Sequence, residues 1–540
     1  MSAAHGTSCP DTKASVNRAT RLLVLESATV NASAEIATLA RRNATLPPIS
    51  RLPTEILADI FLSFERLCRV HSFESIIYDC QTLPFRWLVI TFVCRRWRSV
   101  ARALPHLWSH VPMSDDEELV TMFLRLSKGI PISVIPGSRV YNHALQYEIF
   151  SLIVPGAPRI RALRLCLPTS LLYKLVSEPP WYAPLLESIT LELGDGGVPP
   201  HRCFPFFKGA ELPALRSLQL TALPSMFLRG LSRPTLTSLV VHCPVHTLPV
   251  AEWLDALDAL PLLEHLTLQN ALADGPPPGL AARSVAMRRL AHIMLSARRS
   301  GPQYTRLLDH LVLPQCRTLH LQMLGHGPAT AGEHRGVFAA VASALGGAFA
   351  PEMCSLRLDR VGLCVRLWRD APPSFGRDCK AGREFAGRAH VVVDIDTSGA
   401  PLHTDVLPVL VSALPLARVR TLHFVHADPG RSVRSLYALQ KVETLLCVCP
   451  QPRDLLHALS ESQRGAPAPA LFPVLRHLAL RHAEWRTRRT EPCANPPLGA
   501  LVDAILEARA ALSAPLDELC LQGLCNVGEA EDFEWLGNIR

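Results

Sequence analysis

Two closely spaced carboxylates form the pair in this sequence that comes nearest to a reactive or metal-holding group. In VVVDIDTSG, residues 391–399, an apolar strand runs into Asp394 and Asp396. Carboxylates at i and i+2 share one face of a strand and could together hold Mg²⁺. The context opposes that use. The strand falls inside an array of leucine-rich strands, so these aspartates read as a solvated strand end. His423 with His426, and His477 with His482, lack the i, i+4 helical spacing of a zinc pair and read as polar residues at strand edges. SALGGAFA at 343–350 lacks the Gly-Lys-Ser/Thr ending of a phosphate loop and reads as a helix end. SDDEEL at 114–119 reads as a capped helix start with acidic first-turn residues. The 16 cysteines stand singly, Cys447 and Cys449 being the closest pair, and there is no Cys-x-x-Cys, which argues against a zinc site and against a disulfide framework. No Ser/His/Asp or Cys/His set has positional support. The chain is therefore read as having no catalytic residue, no metal and no cofactor.

The elements that hold these residues follow from composition. At 540 residues the chain is too long for one compact core; with 48% apolar but only 6% aromatic residues, its interior is built of Leu and Ala, as in stacked arrays. Forty-six prolines must punctuate short elements. The opening MSAAHGTSCPDTKAS has no apolar stretch of signal-peptide length, and no window reaches the roughly 18 charge-free apolar residues that span a bilayer. A cytoplasmic or nuclear chain with reduced cysteines is the expectation, with no membrane partner. The net charge of +8 is a mild excess that no tail or face concentrates, which argues against a nucleic-acid partner. The densest run, RTRRT at 486–490, reads as a solvated loop.

Along the chain, Leu22, Leu25, Ile36 and Leu39 predict a helix over residues 15–46, ended by LPP at 46–48. In ISRLPTEILADIFLSF, residues 49–64, Pro53 sits where a helix begins, and Ile56, Leu57, Ile60 and Phe61 fall on one face. PFRWLVITFVCRRWRSVARALPHLW at 84–108 predicts a second helix whose face is Leu88, Phe92, Val93, Trp97, Val100, Ala101 and Leu104. Two short helices with faces this broad cannot bury all of them against each other, so part is left for a partner.

LPTEILADIF followed by VCRRWRSVARALPHLW resembles an F-box, and the preceding RRNATLPPIS is similar to the lead-in of fungal F-box proteins; the match covers residues 46–111. The resemblance implies docking of this small helical module onto a Skp-type adaptor, and through it onto a cullin-RING ubiquitin ligase. Carried over by motif, Leu52, Pro53, Ile56, Leu57 and Ile60 would lie at or near the adaptor surface, with Val93, Cys94 and Trp97 closing the module. Pro53 and Cys94 stand 41 residues apart, farther than the family's usual spacing, and the surplus at 64–84 reads as an inserted loop or extra turn.

Beyond residue 112, short Leu-x-Leu strands recur. Their first core positions are Leu163, Ile189, Leu218, Leu239, Leu266, Ile293, Leu319, Leu356, Val391, Leu422, Leu445, Leu478 and Leu519, with early gaps near 26 residues and later ones reaching 41. Proline stands five residues before the core position at Pro158, Pro184, Pro213, Pro234, Pro261, Pro314, Pro351 and Pro473, and one residue off at Pro515, marking helix-to-strand corners. Helical patterns lie between: VAEWLDALDAL, QYTRLLDHLVL, SVRSLYALQ and LGALVDAILEARAAL. Strict alternation of strand and helix predicts parallel strands stacked in a solenoid. The region resembles the leucine-rich repeats that follow an F-box, although the family's turn Asn or Cys is absent, which predicts irregular, distorted repeats.

The fold expected is thus α/β: an N-terminal tail and helix at 1–46, a small helical F-box at 47–112, and an irregular leucine-rich-repeat solenoid with parallel strands at 113–540. Such a chain is an adaptor and not an enzyme. Residues between the two core leucines of a strand point away from the core, so Arg164, Thr190, Gln219, Thr267, His320, Arg357 and His423 are the candidate contacts for a protein target. Two other readings stay open. One is a repeat scaffold that never meets the ligase. The other rests on the Asp394 strand, which resembles the aspartate motif of haloacid-dehalogenase-type phosphatases.

Overall fold

The structure, a computed structural model of the chain, describes residues 48–75, 85–114, 116–136, 151–167, 182–193, 211–273, 283–297, 301–323, 331–345, 355–359, 363–368, 391–395, 406–414, 416–425, 430–449, 452–461, 470–484, 498–525 and 527. The helix expected at 15–46, the RTRRT run, Pro351, Asp396 and His426 lie outside them. The chain divides into two compact units. Among the described residues, the first holds those up to His110 together with Thr121–Ile130, and the second holds the rest.

In the first unit, helix α1 (Thr54–Ser75) is 22 residues long, so its last turns take up much of the surplus read as an inserted loop or extra turn. Pro53 precedes it, and its carbonyl accepts the Leu57 N–H at 3.1 Å. The four apolar residues expected on one face are divided. Leu57 and Phe61 are 0% and 1% exposed, whereas Ile56 and Ile60 are 47% and 41% exposed. Neighbouring residues on a helix stand about 100° apart, so one pair faces in and the other out.

The second expected helix is broken. A 3-10 turn (Arg86–Val89) leads into α2 (Ile90–Val93), Cys94 then adopts an extended conformation, and α3 (Arg95–Ala103) follows. The break has a local cause. Cys94 is the N-cap of α3, its Sγ accepting the Trp97 N–H at 3.4 Å, and a capping residue cannot itself be helical. The break redirects the expected face. Val100 and Ala101 are buried, Trp97 is half-buried against Phe61 with ring centroids 5.1 Å apart, and Phe92 and Val93 are exposed. Trp87, not foreseen in that face, takes their place inside with Trp108 and Phe123 from α4 (Glu117–Leu126), the three rings lying 5.0–5.9 Å apart edge to face. The Asp116 carboxylate caps α4 by accepting the Leu119 N–H at 3.0 Å.

The second unit is built on an open sheet. Its strands are β1 (His110–Met113), β2 (Ile132–Pro136), β3 (Ile160–Leu167), β4 (Ser188–Leu193), β5 (Ser217–Thr221), β6 (Ser238–His242), β7 (His265–Gln269), β8 (Val285–Ala286), β9 (His292–Ala297), β10 (Leu311–Val312), β11 (Thr318–Met323), β12 (Ser355–Asp359), β13 (Leu363–Trp368), β14 (Val391–Ile395), β15 (Thr421–Val425), β16 (Thr444–Val448), β17 (His477–Arg481) and β18 (Glu518–Gln522). Sixteen of them form one sheet in the order β1-β2-β3-β4-β5-β6-β7-β9-β11-β14-β13-β12-β15-β16-β17-β18, and β8 pairs with β10 separately. Helices α5 (Met226–Leu231), α6 (Val250–Asp258), α7 (Gly301–Asp309), α8 (Ala331–Leu345), α9 (Val406–Ala413), α10 (Arg453–Glu461) and α11 (Leu498–Ala511) lie between strands. SVRSLYALQ forms a 3-10 segment (Gly430–Ala438) instead of the expected α-helix.

The core positions read from the sequence line up. From Leu163 to Leu478, all twelve are at most 2% exposed, and only Leu519 on the last strand is half-buried. Strict parallel alternation does not hold. LCVRLW forms β13, which pairs antiparallel with both β12 and β14. Only three residues separate Asp359 from Leu363, too few for a crossover helix, so the chain turns back as a hairpin and the strand order inverts over β14-β13-β12.

The prolines occupy a specific place. Pro184, Pro213, Pro234, Pro261, Pro314 and Pro473 each follow a residue whose carbonyl accepts the N–H three residues on, at 3.0–3.4 Å, which is the second position of a β-turn, where the fixed φ of proline fits. The residue after each of these turns then donates its N–H to the equivalent carbonyl one strand back. Glu187 bonds Arg161, Arg216 bonds Glu187, Thr237 bonds Arg216 and Glu264 bonds Thr237, all at 2.7–2.8 Å; Glu443, Arg476 and Asp517 continue the pattern. At the exit of β7, where Ala271 stands in place of the missing Asn or Cys, helix side chains supply the bonds. Trp253 Nε1 donates to the Ala271 carbonyl at 3.0 Å, and the Ala271 N–H donates to the Tyr304 hydroxyl at 2.9 Å.

Candidate functional site

Two surfaces place the residues that the sequence singled out. On the first unit, α1 carries Ile56, Ile60, Phe64 and Leu67 at steps of four, four and three, which is one stripe on a helix, and they are 37–57% exposed. Val89, Phe92 and Val93 are 55–75% exposed. Of the residues implied by the F-box resemblance, Pro53, Ile56, Ile60, Val93 and Cys94 are exposed and Leu52 and Trp97 are half-buried. Leu57 is fully buried and so supports the module from inside. Sequence reasoning placed Phe92 on the apolar face of the second helix, part of it left for a partner, and missed Phe64 and Leu67; only knowledge of how far α1 runs reveals those two. The chain segments carrying the surface are tied by side-chain bonds to backbone: Arg96 Nη2 donates to the Leu52 carbonyl, and Arg98 Nε donates to the Thr91 carbonyl at 2.8 Å.

Beneath this surface lies a polar cluster. Glu65, 3% exposed on α1, pairs with Arg69 at 2.8 Å, and Arg69 Nη1 lies 2.7 Å from His110 Nε2. A guanidinium has no acceptor, so Nε2 accepts and the imidazole is neutral with its proton on Nδ1, 3.5 Å from the Glu65 carboxylate. Burial, and then repulsion from Arg69, push the His110 pKa down to about 4. Burial raises the Glu65 carboxyl, with Arg69 and Arg66 pulling the other way.

On the second unit, strand register gathers the expected target contacts into one transverse row. Arg164 faces Thr190, which faces Gln219; the row runs on through Val240, Thr267, Met294 and His320 to Val392. It continues across the hairpin through Arg366 and Arg357 to His423. Arg164, Thr190, Gln219, Thr267 and His320 are half-buried, as expected for side chains that leave the core. His423 is a correction. It is 6% exposed, and every residue of β15 is buried, so this stretch of the outward face is closed to a target. Alternation along a strand tells which face a residue takes, not whether that face is covered. On either side of the row, the His265 and His292 rings stack with centroids 4.6 Å apart, His292 Nδ1 lies 2.7 Å from Thr318 Oγ1, and burial lowers the His242 pKa while Glu192 opposes it.

Asp394 lies opposite Gln322 and Cys364 in the same sheet. Among the described residues no group of three or more His, Cys, Asp or Glu side chains could hold a metal ion, and no helix is long and apolar enough to cross a membrane. No family model matches the chain, and no curated protein matches it either.

Proposed function

We propose that the chain is a substrate-recognition subunit of a cullin-RING ubiquitin ligase, with the first unit as an F-box that docks on a Skp-type adaptor and the second as a leucine-rich-repeat-like solenoid that binds a protein target. The observation that carries this reading is the set of seven large apolar side chains on the first unit, Ile56, Ile60, Phe64, Leu67, Val89, Phe92 and Val93, each 37–75% exposed. Such a set is costly to leave in water and marks an interaction site. An apolar helix stripe suits packing against another helix. The role is one of proximity: the adaptor end joins the transfer machinery, the strand face holds the target, and the tether raises the effective concentration of one toward the other. No group on this chain need act on a bond.

The test is affinity capture of a purified Skp-type adaptor by the full chain, against the double variant Ile60→Glu with Val93→Glu. Both positions are exposed, so the charges leave the fold intact. Capture by the parent and its loss in the variant support the proposal. Equal capture by both, or none by either, contradicts it and leaves a scaffold that works apart from the ligase.

A further inference from the structure

The outward face of the sheet is not uniform in charge. Strands β4, β5, β6, β7, β9 and β11 are consecutive neighbours, and each turns three residues outward beside its two core positions, eighteen in all. Glu192 is the only Asp, Glu, Lys or Arg among them, in a chain that is 19% charged. Val240 and Met294 are the only aliphatic ones, and the other fifteen carry hydroxyl, amide or imidazole groups. All are half-buried or exposed except Ser296, which is 1% exposed. Beyond this field charge returns, with Arg164 on one side and Arg366 on the other. The edge where β3 and β4 begin is also charged, with Arg161 and Glu187 paired at 2.9 Å.

We propose that this field is a docking surface for an uncharged polar polypeptide segment, and this rests on the reading of the second unit as the target-binding part. The surface selects its partner by complementarity. A charged partner would lose water here and, Glu192 aside, meet no opposite charge, and within the field a nucleic acid would find no cation for its phosphates. An amphipathic helix would find no apolar groove, since two aliphatic side chains do not make one. Groups that both donate and accept suit the alternating N–H and C=O of an extended chain and its Ser, Thr, Asn and Gln side chains. Depletion of charge is also the compositional mark of the centre of a protein interface. Strand spacing of about 4.8 Å gives the field a width of roughly 24 Å, enough for about seven extended residues.

The test is panning of a random dodecapeptide display library on the immobilised full chain, followed by capture of the enriched peptides by Thr267→Lys and Thr267→Glu variants. Thr267 lies in the middle of the field and is half-buried, and circular dichroism checks that both variants fold. The expected result is enrichment of peptides depleted in Asp, Glu, Lys and Arg relative to the input, with capture reduced at least tenfold by either charge. Charged peptides that respond to the variants would overturn the neutral-partner inference while keeping the face as the binding surface. No enrichment, or capture unchanged in both variants, would overturn the docking surface itself. Neither result bears on adaptor capture by the first unit.

Discussion

Arg509 on α11 is 1% exposed, and the substitution Arg509→Met removes its charge while keeping most of its stem volume. The guanidinium donates to four backbone carbonyls: Ala514 at 3.0 Å, Phe472 at 3.0 Å, Pro473 at 3.1 Å and Leu475 at 2.6 Å. Three of these belong to the β-turn that starts β17, so one side chain ties a helix to the preceding turn. Hydrogen bonds to a charged group contribute about 1.5–3 kcal/mol each, and four would give roughly 6–12 kcal/mol. Burying the ion costs several kcal/mol, and burial also lowers the Arg509 pKa. The net loss expected in Arg509→Met is about 3 kcal/mol, confined to the elements that Arg509 joins. Native-state hydrogen exchange reads this directly: amides of β17, α11 and β18 should exchange roughly 100-fold faster, at about 1.4 kcal/mol per tenfold, while β4–β7 stay unchanged. Arg509→Lys should lose nearly as much, because an ammonium cannot reach all four carbonyls. Protection within threefold of the parent in the Met variant would refute the reasoning that buried guanidinium bonds hold the last strands.

Other expectations follow from the same geometry. Phe92 is 75% exposed, and burying that much of a phenyl ring is worth about 2 kcal/mol, so Phe92→Ala should weaken adaptor binding roughly 30-fold by calorimetry with no change in thermal unfolding. Leu57→Ala, at 0% exposure, should instead destabilise the first unit by about 2–5 kcal/mol, read by denaturant unfolding. His110, held near pKa 4 against an ordinary 6.5, binds fewer protons folded than unfolded, so its contribution to stability is full above pH 6.5 and falls by up to about 3 kcal/mol as pH drops to 4. Glu65, with a raised carboxyl, acts in the opposite sense, its share being full below 4.5 and lost as pH rises through the folded value; comparing unfolding of His110→Gln with the parent from pH 7 to 4 isolates the histidine, and parallel curves would contradict the assignment. Gly523 has φ +62°, and an added Cβ would sit 2.9 Å from His482 Nδ1, so Gly523→Ala should loosen β18 by about 1–2 kcal/mol in hydrogen exchange.

The parallel array was legible because burial on one face leaves a period-2 signature. Leu163, Ile189, Leu218 and their successors had to share a core row, and the row between the core leucines had to point outward. Proline spacing was legible for a related reason, since one fixed φ suits one turn position. What escaped detection depends on information that a single sequence does not carry. Ala222, Cys243, Asn270 and His482 leave their strands with φ between 44° and 56°, a conformation usually marked by glycine, and none of the four is glycine. The hairpin of β12 and β13 interrupts the alternation because a short loop outweighs the local pattern. Cys94 is a rare type of helix cap, so the break that turns Phe92 and Val93 outward left no familiar mark. The long tail of α1 was hidden for a different reason: FERLCRVHSFES has no breaker, yet motif spacing suggested an inserted loop or an extra turn there.

Light scattering on an equimolar mixture of the 59.3 kDa chain and a purified Skp-type adaptor decides whether the proposed adaptor docking occurs. One species is expected at the summed mass of a one-to-one complex, persisting at about 500 mM salt because the proposed joining surface is apolar. Two species at their separate masses, at low salt as well as high, would contradict it.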